Sequence, residues 1–170
     1  RFLVPYLMDY KGWAIFMDCD MLCKDDISNL WSMRDDKYAA MCVHHKHIPT
    51  EQTKFLGEPQ TAYPKKNWSS LIMFNCSKCR ALSLDYVNNS SGLNLHRFNW
   101  LSDEKEIGEL DRSWNHLVDV YSSEDDNSKY NAPKILHWTL GGPWFQEQRQ
   151  ITEFSKEWFL ARKNSMRFWN

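Results

Sequence analysis

The chain has 170 residues, 42% of them hydrophobic and 25% charged, which suits one domain able to bury roughly 70% of its unfolded surface. Lys and Arg number 21 against 22 Asp and Glu, a formal net charge of −1, so there is no basic field to gather nucleic acid or an anionic membrane. No apolar run reaches the roughly 20 residues of a membrane helix. The five irregularly spaced cysteines read as free thiols of a reducing compartment, the cytoplasm, rather than as a disulfide framework or zinc site.

In chain order, RFLVPYLMDY spaces Phe2, Leu3, Tyr6, Leu7 and Tyr10 at helical intervals, and Gly12 ends that helix. The apolar run from Trp13 to Met17 reads as a central strand covered on both faces. It meets two aspartates, Asp18 and Asp20, at its carboxyl edge, where open α/β sheets bind their ligands. Asp26 to Trp31 reads as a short helix, KYAAMCVHH as a second strand and SSLIMFN as a third. Between these two strands, His45 to Lys66 carries Pro49, Gly57, Pro59 and Pro64, the mark of a long loop with a functional purpose. The run His44-His45-Lys46-His47 is set aside as a metal site because adjacent side chains of an extended segment face opposite ways. CRALSLDYVNNSSG suits a helix ended by Gly92, SWNHLVDVY a short strand or helical turn, KILHWT a strand, and TEFSKEWFLARKNSMRFWN a terminal amphipathic helix. Alternating strands and helices predict an α/β fold with a mostly parallel sheet.

In an extended segment residues i and i+2 share a face, so Asp18 and Asp20 can approach one point that a hard divalent cation occupies. Mn2+ or Mg2+ held there keeps open positions for a diphosphate, whose developing charge it neutralises. The bland alternative is two solvated aspartates at a strand end. A phosphatase of the HAD type also carries DxD after an apolar strand, but Leu22 stands where that class wants a small hydroxyl residue or Val. His137 closes a second apolar strand and precedes Gly141 and Gly142; imidazole is a good ligand for Mn2+, and glycines let backbone N–H groups approach phosphate. Read singly, His137 is a core histidine and the glycines a turn. Together the two motifs outline a metal-diphosphate site.

The blocks RFLVPYL, GWAIFMDCDMLCKDDISNLW, KNWSSLIMFN, LHRFNWL, WNHLV and HWTLGGPWF, in this order from Arg1 to about Phe145, resemble GT-A-fold glycosyltransferases close to the family 8 type. The resemblance implies a Rossmann-like domain and transfer of a sugar from a nucleotide-sugar donor, a UDP-sugar, to a carbohydrate or other hydroxyl acceptor. It implies that Asp18, Asp20 and His137 hold Mn2+ or Mg2+, that Asn67, Trp68, Ser69 and Ser70 line the donor-sugar pocket, and that Gly141 and Gly142 clasp the diphosphate. Asp103, within the acidic run after LHRFNWL, is the candidate for a catalytic polar residue. Aromatic content of 15% with nine Trp fits sugar faces packing on indole rings; Trp68, Trp100 and Trp144 are expected near the pocket, and Trp13, Trp31 and Trp158 in packing roles.

The pattern departs from the family in two places. Family 8 enzymes carry His-x-x-Gly-x-x-Lys-Pro-Trp, whereas His137-Trp-Thr-Leu-Gly-Gly-Pro-Trp144 is one residue shorter and lacks the lysine that meets the diphosphate. The DxD also begins at position 18, without the preceding βαβ units that grip base and ribose. Residues 1–170 are therefore read as the C-terminal portion of a GT-A domain, incomplete at the N-terminus, with an uncovered edge at Trp13 to Met17 that favours self-association. Two rival readings are a noncatalytic sugar- or partner-binding remnant of a glycosyltransferase and a metal-dependent nucleotide-sugar hydrolase, in which water replaces the acceptor.

Overall fold

The computed structural model describes residues 1–46, 64–121, 132–149 and 152–166. Its strands are β1 (Trp13–Met17), β2 (Met21–Cys23), β3 (Ala40–Val43), β4 (Leu71–Asn75), β5 (Ile107–Leu110), β6 (His116–Leu117) and β7 (Ile135–His137). The α-helices are α1 (Val4–Leu7), α2 (Ile27–Trp31), α3 (Leu84–Asn89), α4 (Gly92–His96) and α5 (Ser155–Met166).

The larger sheet has strand order β1-β4-β3-β5, and its period-two alternation builds two cores. Ile72 and Phe74 of β4, Ala40 and Cys42 of β3, and Ala14 and Phe16 of β1 join Phe2, Leu82, Phe98 and Trp100 on one face. Leu71 and Met73, Met41 and Val43, and Ile15 and Met17 join Leu30, Leu110, Trp114 and Ile135 on the other. Every residue of β4 is buried. This is why its sequence is apolar from Leu71 to Phe74 rather than alternating.

The fold is α/β, but the larger sheet is not mostly parallel. β1 and β3 point the same way, as the βαβ reading requires, yet β4 inserts between them and runs antiparallel to both. Among the described residues only β3 and β5 are parallel neighbours there. A parallel neighbour needs a crossover across the sheet face, whereas β4 re-enters from the 3-10 turn Trp68–Ser70 beside the carboxyl end of β1, pairing Leu71 with Met17. A second sheet, ordered β2-β7-β6, pairs Met21 with His137 antiparallel and Leu117 with His137 in parallel. Against it pack Trp138, Val118, Trp144, Phe154 and Trp158.

Several local expectations shift. The first helix is a single turn, because Asp9, Tyr10 and Gly12 all take positive φ. Gly92 begins a helix rather than ending one: Ser91 caps α4 by accepting from the Asn94 N–H. The terminal helix α5 buries no residue completely. Most of the long loop, residues 47–63, lies outside the described residues. All five cysteines are free, with Cys42, Cys76 and Cys79 buried.

Candidate metal and donor site

The two sheets meet at Asp18-Cys19-Asp20. The Asp18 N–H donates to Ser70 C=O at 2.9 Å, tying the end of β1 to the Trp68–Ser70 turn, and the Trp138 N–H donates to Asp20 C=O at 3.1 Å, tying the start of β2 to the end of β7. The DxD is thus a turn between strands of different sheets rather than a pleated run. Both carboxylates still face one point, while Cys19 between them is exposed. The register that sets Met21 opposite His137 carries the imidazole to the same point.

One carboxylate oxygen from each aspartate and one His137 ring nitrogen all lie within 4.8 Å of one another. His137 Nε2 stands 3.4 Å from Asp20 Oδ1, too poorly aligned for a hydrogen bond, so that buried oxygen has no hydrogen-bond partner among the described residues. Ligands of a common Mn2+ or Mg2+ each lie about 2 Å from it and hence at most about 4 Å apart. The three groups therefore need only a small side-chain adjustment to share such an ion, and the orphaned oxygen is the kind of acceptor it satisfies.

Electrostatics separates the two aspartates. Burial pushes the Asp18 carboxyl above its ordinary range even though the Arg1 guanidinium lies 2.7 Å away and opposes the shift. At Asp20 burial also pushes upward, but the charge and hydrogen bond of His137 in its protonated form, with the backbone, outweigh it and hold the carboxyl below its ordinary range.

These groups open into a cleft of about 310 Å3 that is also lined by Arg1, Lys66, Asn67, Ser69, Ser70, His96 and Thr139. Asn67 takes the left-handed conformation (φ 64°), which Asn tolerates, and so starts the tight turn that presents both serines. Ser69 Oγ lies 2.6 Å from His96 Nδ1, and Arg1 donates to Ser69 C=O at 3.0 Å while its guanidinium covers the Phe16 ring. Ser70 Oγ donates to Asn67 C=O and accepts from the Asn115 side-chain amide.

Asn67, Ser69 and Ser70 thus stand on the cleft wall beside the carboxylates, as the sequence suggests, and other candidates do not. Trp68 stacks on His44 with ring centroids 3.9 Å apart and donates to His45 C=O. Trp100 sits in the core against Phe74 and Phe98, and Trp144 packs on Trp138 and Trp158. Each indole packs in or against a core cluster and none lines the cleft. Gly141 and Gly142 do not line the cleft; Thr139, two residues past His137, does. Gly141 needs its positive φ of 109°, and a Cβ on Gly142 would stand 2.2 Å from the Trp144 ring, so both glycines serve the turn and its packing. Asp103 is exposed and caps a 3-10 turn, accepting from the Lys105 N–H, with Glu106 closing a capping box. Arg1, Lys66, His96, Asn115 and Thr139 lie within the quoted blocks but were not singled out, since nothing local shows that their side chains turn toward the site.

The fold has counterparts among solved structures. An active-site mutant of LgtC superposes with a TM-score of 0.61 at 11% identity over 96% of this chain and 65% of that one. GlyE of Streptococcus pneumoniae TIGR4 superposes at 0.54 with 13% identity over 94% and 41%. Likeness at this identity defines the architecture, that of GT-A glycosyltransferases. The description "Glycosyl transferase family 8" matches residues 1–148, and the chain belongs to that family. It is also 47% identical over 160 residues to "Protein CDI" of Arabidopsis thaliana, covering 93% of this chain and 61% of that protein. It thus spans about three fifths of that relative's length. No helix among the described residues is long and apolar enough to cross a membrane.

Proposed function

We propose that this chain carries the metal-binding and donor-binding part of a glycosyltransferase that moves a sugar from a nucleotide-sugar donor, a UDP-sugar, to a hydroxyl acceptor. The observation that carries the reading is the convergence of Asp18, Asp20 and His137 on one point of a polar cleft in a family 8 chain. These three residues would hold Mn2+ or Mg2+, which when bound neutralises charge on the departing diphosphate. Asn67, Ser69 and Ser70 offer hydrogen bonds to the donor sugar. Lys66, buried in the cleft wall, and Arg1 are the cations beside the carboxylates, and they take the role of the lysine absent from the His137 motif. The acceptor hydroxyl attacks the anomeric carbon as that carbon's bond to the diphosphate oxygen breaks, and the hydroxyl proton passes to the leaving diphosphate. The free thiols support a reducing compartment, the cytoplasm.

Calorimetric titration of UDP with and without Mn2+, followed by a screen of UDP-sugars with and without acceptor glycans, tests this. Mn2+-dependent UDP binding is expected, and Lys66→Gln should weaken it by about 10- to 100-fold, the value of a hydrogen bond to a charged group. Sugar release to water alone would instead mark a hydrolase. A flat titration would mark a noncatalytic remnant.

A further inference from the structure

We infer that Asn115 is a positioning residue that fixes the tautomer of His137, so that Nε2, the nitrogen facing Asp20, carries the lone pair. Asn115 is fully buried at the end of the 3-10 turn Arg112–Asn115. Its Oδ1 lies 3.0 Å from His137 Nδ1, and its Nδ2 donates to Ser70 Oγ at 2.9 Å. Ser70 has one proton, and it goes to Asn67 C=O at 2.6 Å. Ser70 Oγ is therefore the acceptor of the pair with Asn115, which makes Nδ2 the donor and leaves Oδ1 as the only atom of that amide facing His137. An amide oxygen can only accept. The proton of the neutral imidazole must then sit on Nδ1, and Nε2 presents its lone pair toward Asp20 Oδ1, the oxygen without a hydrogen-bond partner among the described residues.

Two consequences follow from this proton order. A neutral Nε2 and a carboxylate oxygen 3.4 Å apart are two acceptors facing each other, an arrangement that a cation between them relieves and a bare apo site does not. The same relay runs back to Asn67 C=O, so the turn that lines the cleft and the imidazole are set by one chain of hydrogen bonds. A histidine that donates its other N–H to a fixed oxygen is a better-oriented and more basic ligand, and loss of such a partner typically costs 10- to 100-fold in metal affinity.

This inference rests on the proposed role of His137 as a metal ligand, and its test separates the two. Nitrogen-15 NMR of the histidine rings in the metal-free protein at about pH 8 is expected to show His137 with a protonated Nδ1 and a pyridine-like Nε2. Asn115→Leu, which keeps the volume and removes the acceptor, should lose that signature and weaken Mn2+ binding about 10- to 100-fold by calorimetry. Asn115→Asp, which restores an acceptor, should keep the tautomer and bind Mn2+ more tightly than the Leu variant. A wild-type His137 protonated at Nε2 overturns the inference even where Asn115→Leu does not fold, as does a folded Asn115→Leu with unchanged tautomer and affinity. Wild-type protein with the expected tautomer but no Mn2+ binding would refute the metal reading alone.

Discussion

Replacing Asp18 by Asn separates what the carboxylate does for the fold from what it does for a cation. In the metal-free chain the substitution removes an ion pair with Arg1 at 2.7 Å, in which both side chains keep about a quarter of their exposure; such a pair is worth about 1 kcal/mol or less. Against that loss, Asn relieves the burial that pushes the Asp18 carboxyl upward. A carboxyl whose folded pKa exceeds its unfolded one penalises the fold above that pKa, and an amide carries no such penalty. The two effects oppose each other, so the metal-free melting temperature should move by no more than roughly 2–4 °C. With Mn2+ the outcome differs. A cation at a hundred times its Kd stabilises the wild type by about 2.7 kcal/mol, or roughly 5–11 °C in a chain of this size, and Asp18→Asn should lose most of that increment. Thermal unfolding followed by intrinsic fluorescence, for which the nine tryptophans give ample signal, with Mn2+ against chelator in both proteins, is the assay. An Mn2+ increment of equal size in the two proteins, or none in the wild type, would refute the reasoning.

Other outcomes follow from particular contacts. His116, packed on the Tyr121 and Phe154 rings, has its pKa held down to about 4 by burial, then by Arg112 and Lys24; the unfolded chain, titrating near about 6.5, therefore takes up the proton first as pH falls. Urea unfolding at about pH 7.5 and about pH 5 should show the wild type losing roughly 1–2 kcal/mol more than His116→Gln, and equal losses would count against it. Gly142→Ala puts a methyl 2.2 Å from the Trp144 ring, so urea unfolding should show about 1–3 kcal/mol of destabilisation with a changed near-ultraviolet tryptophan spectrum; an unchanged midpoint contradicts the packing role. β1 is an outer strand of the larger sheet, half-buried along its whole length, and sedimentation velocity should show concentration-dependent self-association, whereas a monomer at every concentration rejects the open-edge reading.

The sequence exposed those parts of the fold whose signals are continuous. β1 and β4 are apolar runs packed on both faces; β1 has the predicted limits, whereas β4 starts at Leu71, two residues into the predicted strand, because Ser69 and Ser70 belong to a 3-10 turn. α2 carries its own start signal, since Asp26 accepts from the Ser28 N–H. β5 escaped notice because Ile107-Gly-Glu-Leu110 exposes Glu109 and follows an acidic run, and β2 and β6 are too short to show periodicity. Strand direction was misjudged because alternation of elements does not reveal that β4 inserts between β1 and β3. At the site, the carboxylates and His137 were legible as residue types at strand ends. Their support was not: Asn115 meets His137 and Ser70 only through the fold, and the tryptophans expected to line the cleft pack in the cores instead.

The candidate ligand set is also divided between the two sheets. Asp18 closes a strand of the larger one, Asp20 opens a strand of the smaller, and His137 arrives only after nearly all of both has been laid down. Joining groups so far apart in sequence removes loop-closure freedom from the unfolded chain, much as a cross-link does. A shared ion at this seam would act as a reversible staple, fastening the small sheet to the large one and tying the order of β7 to occupancy of the cleft.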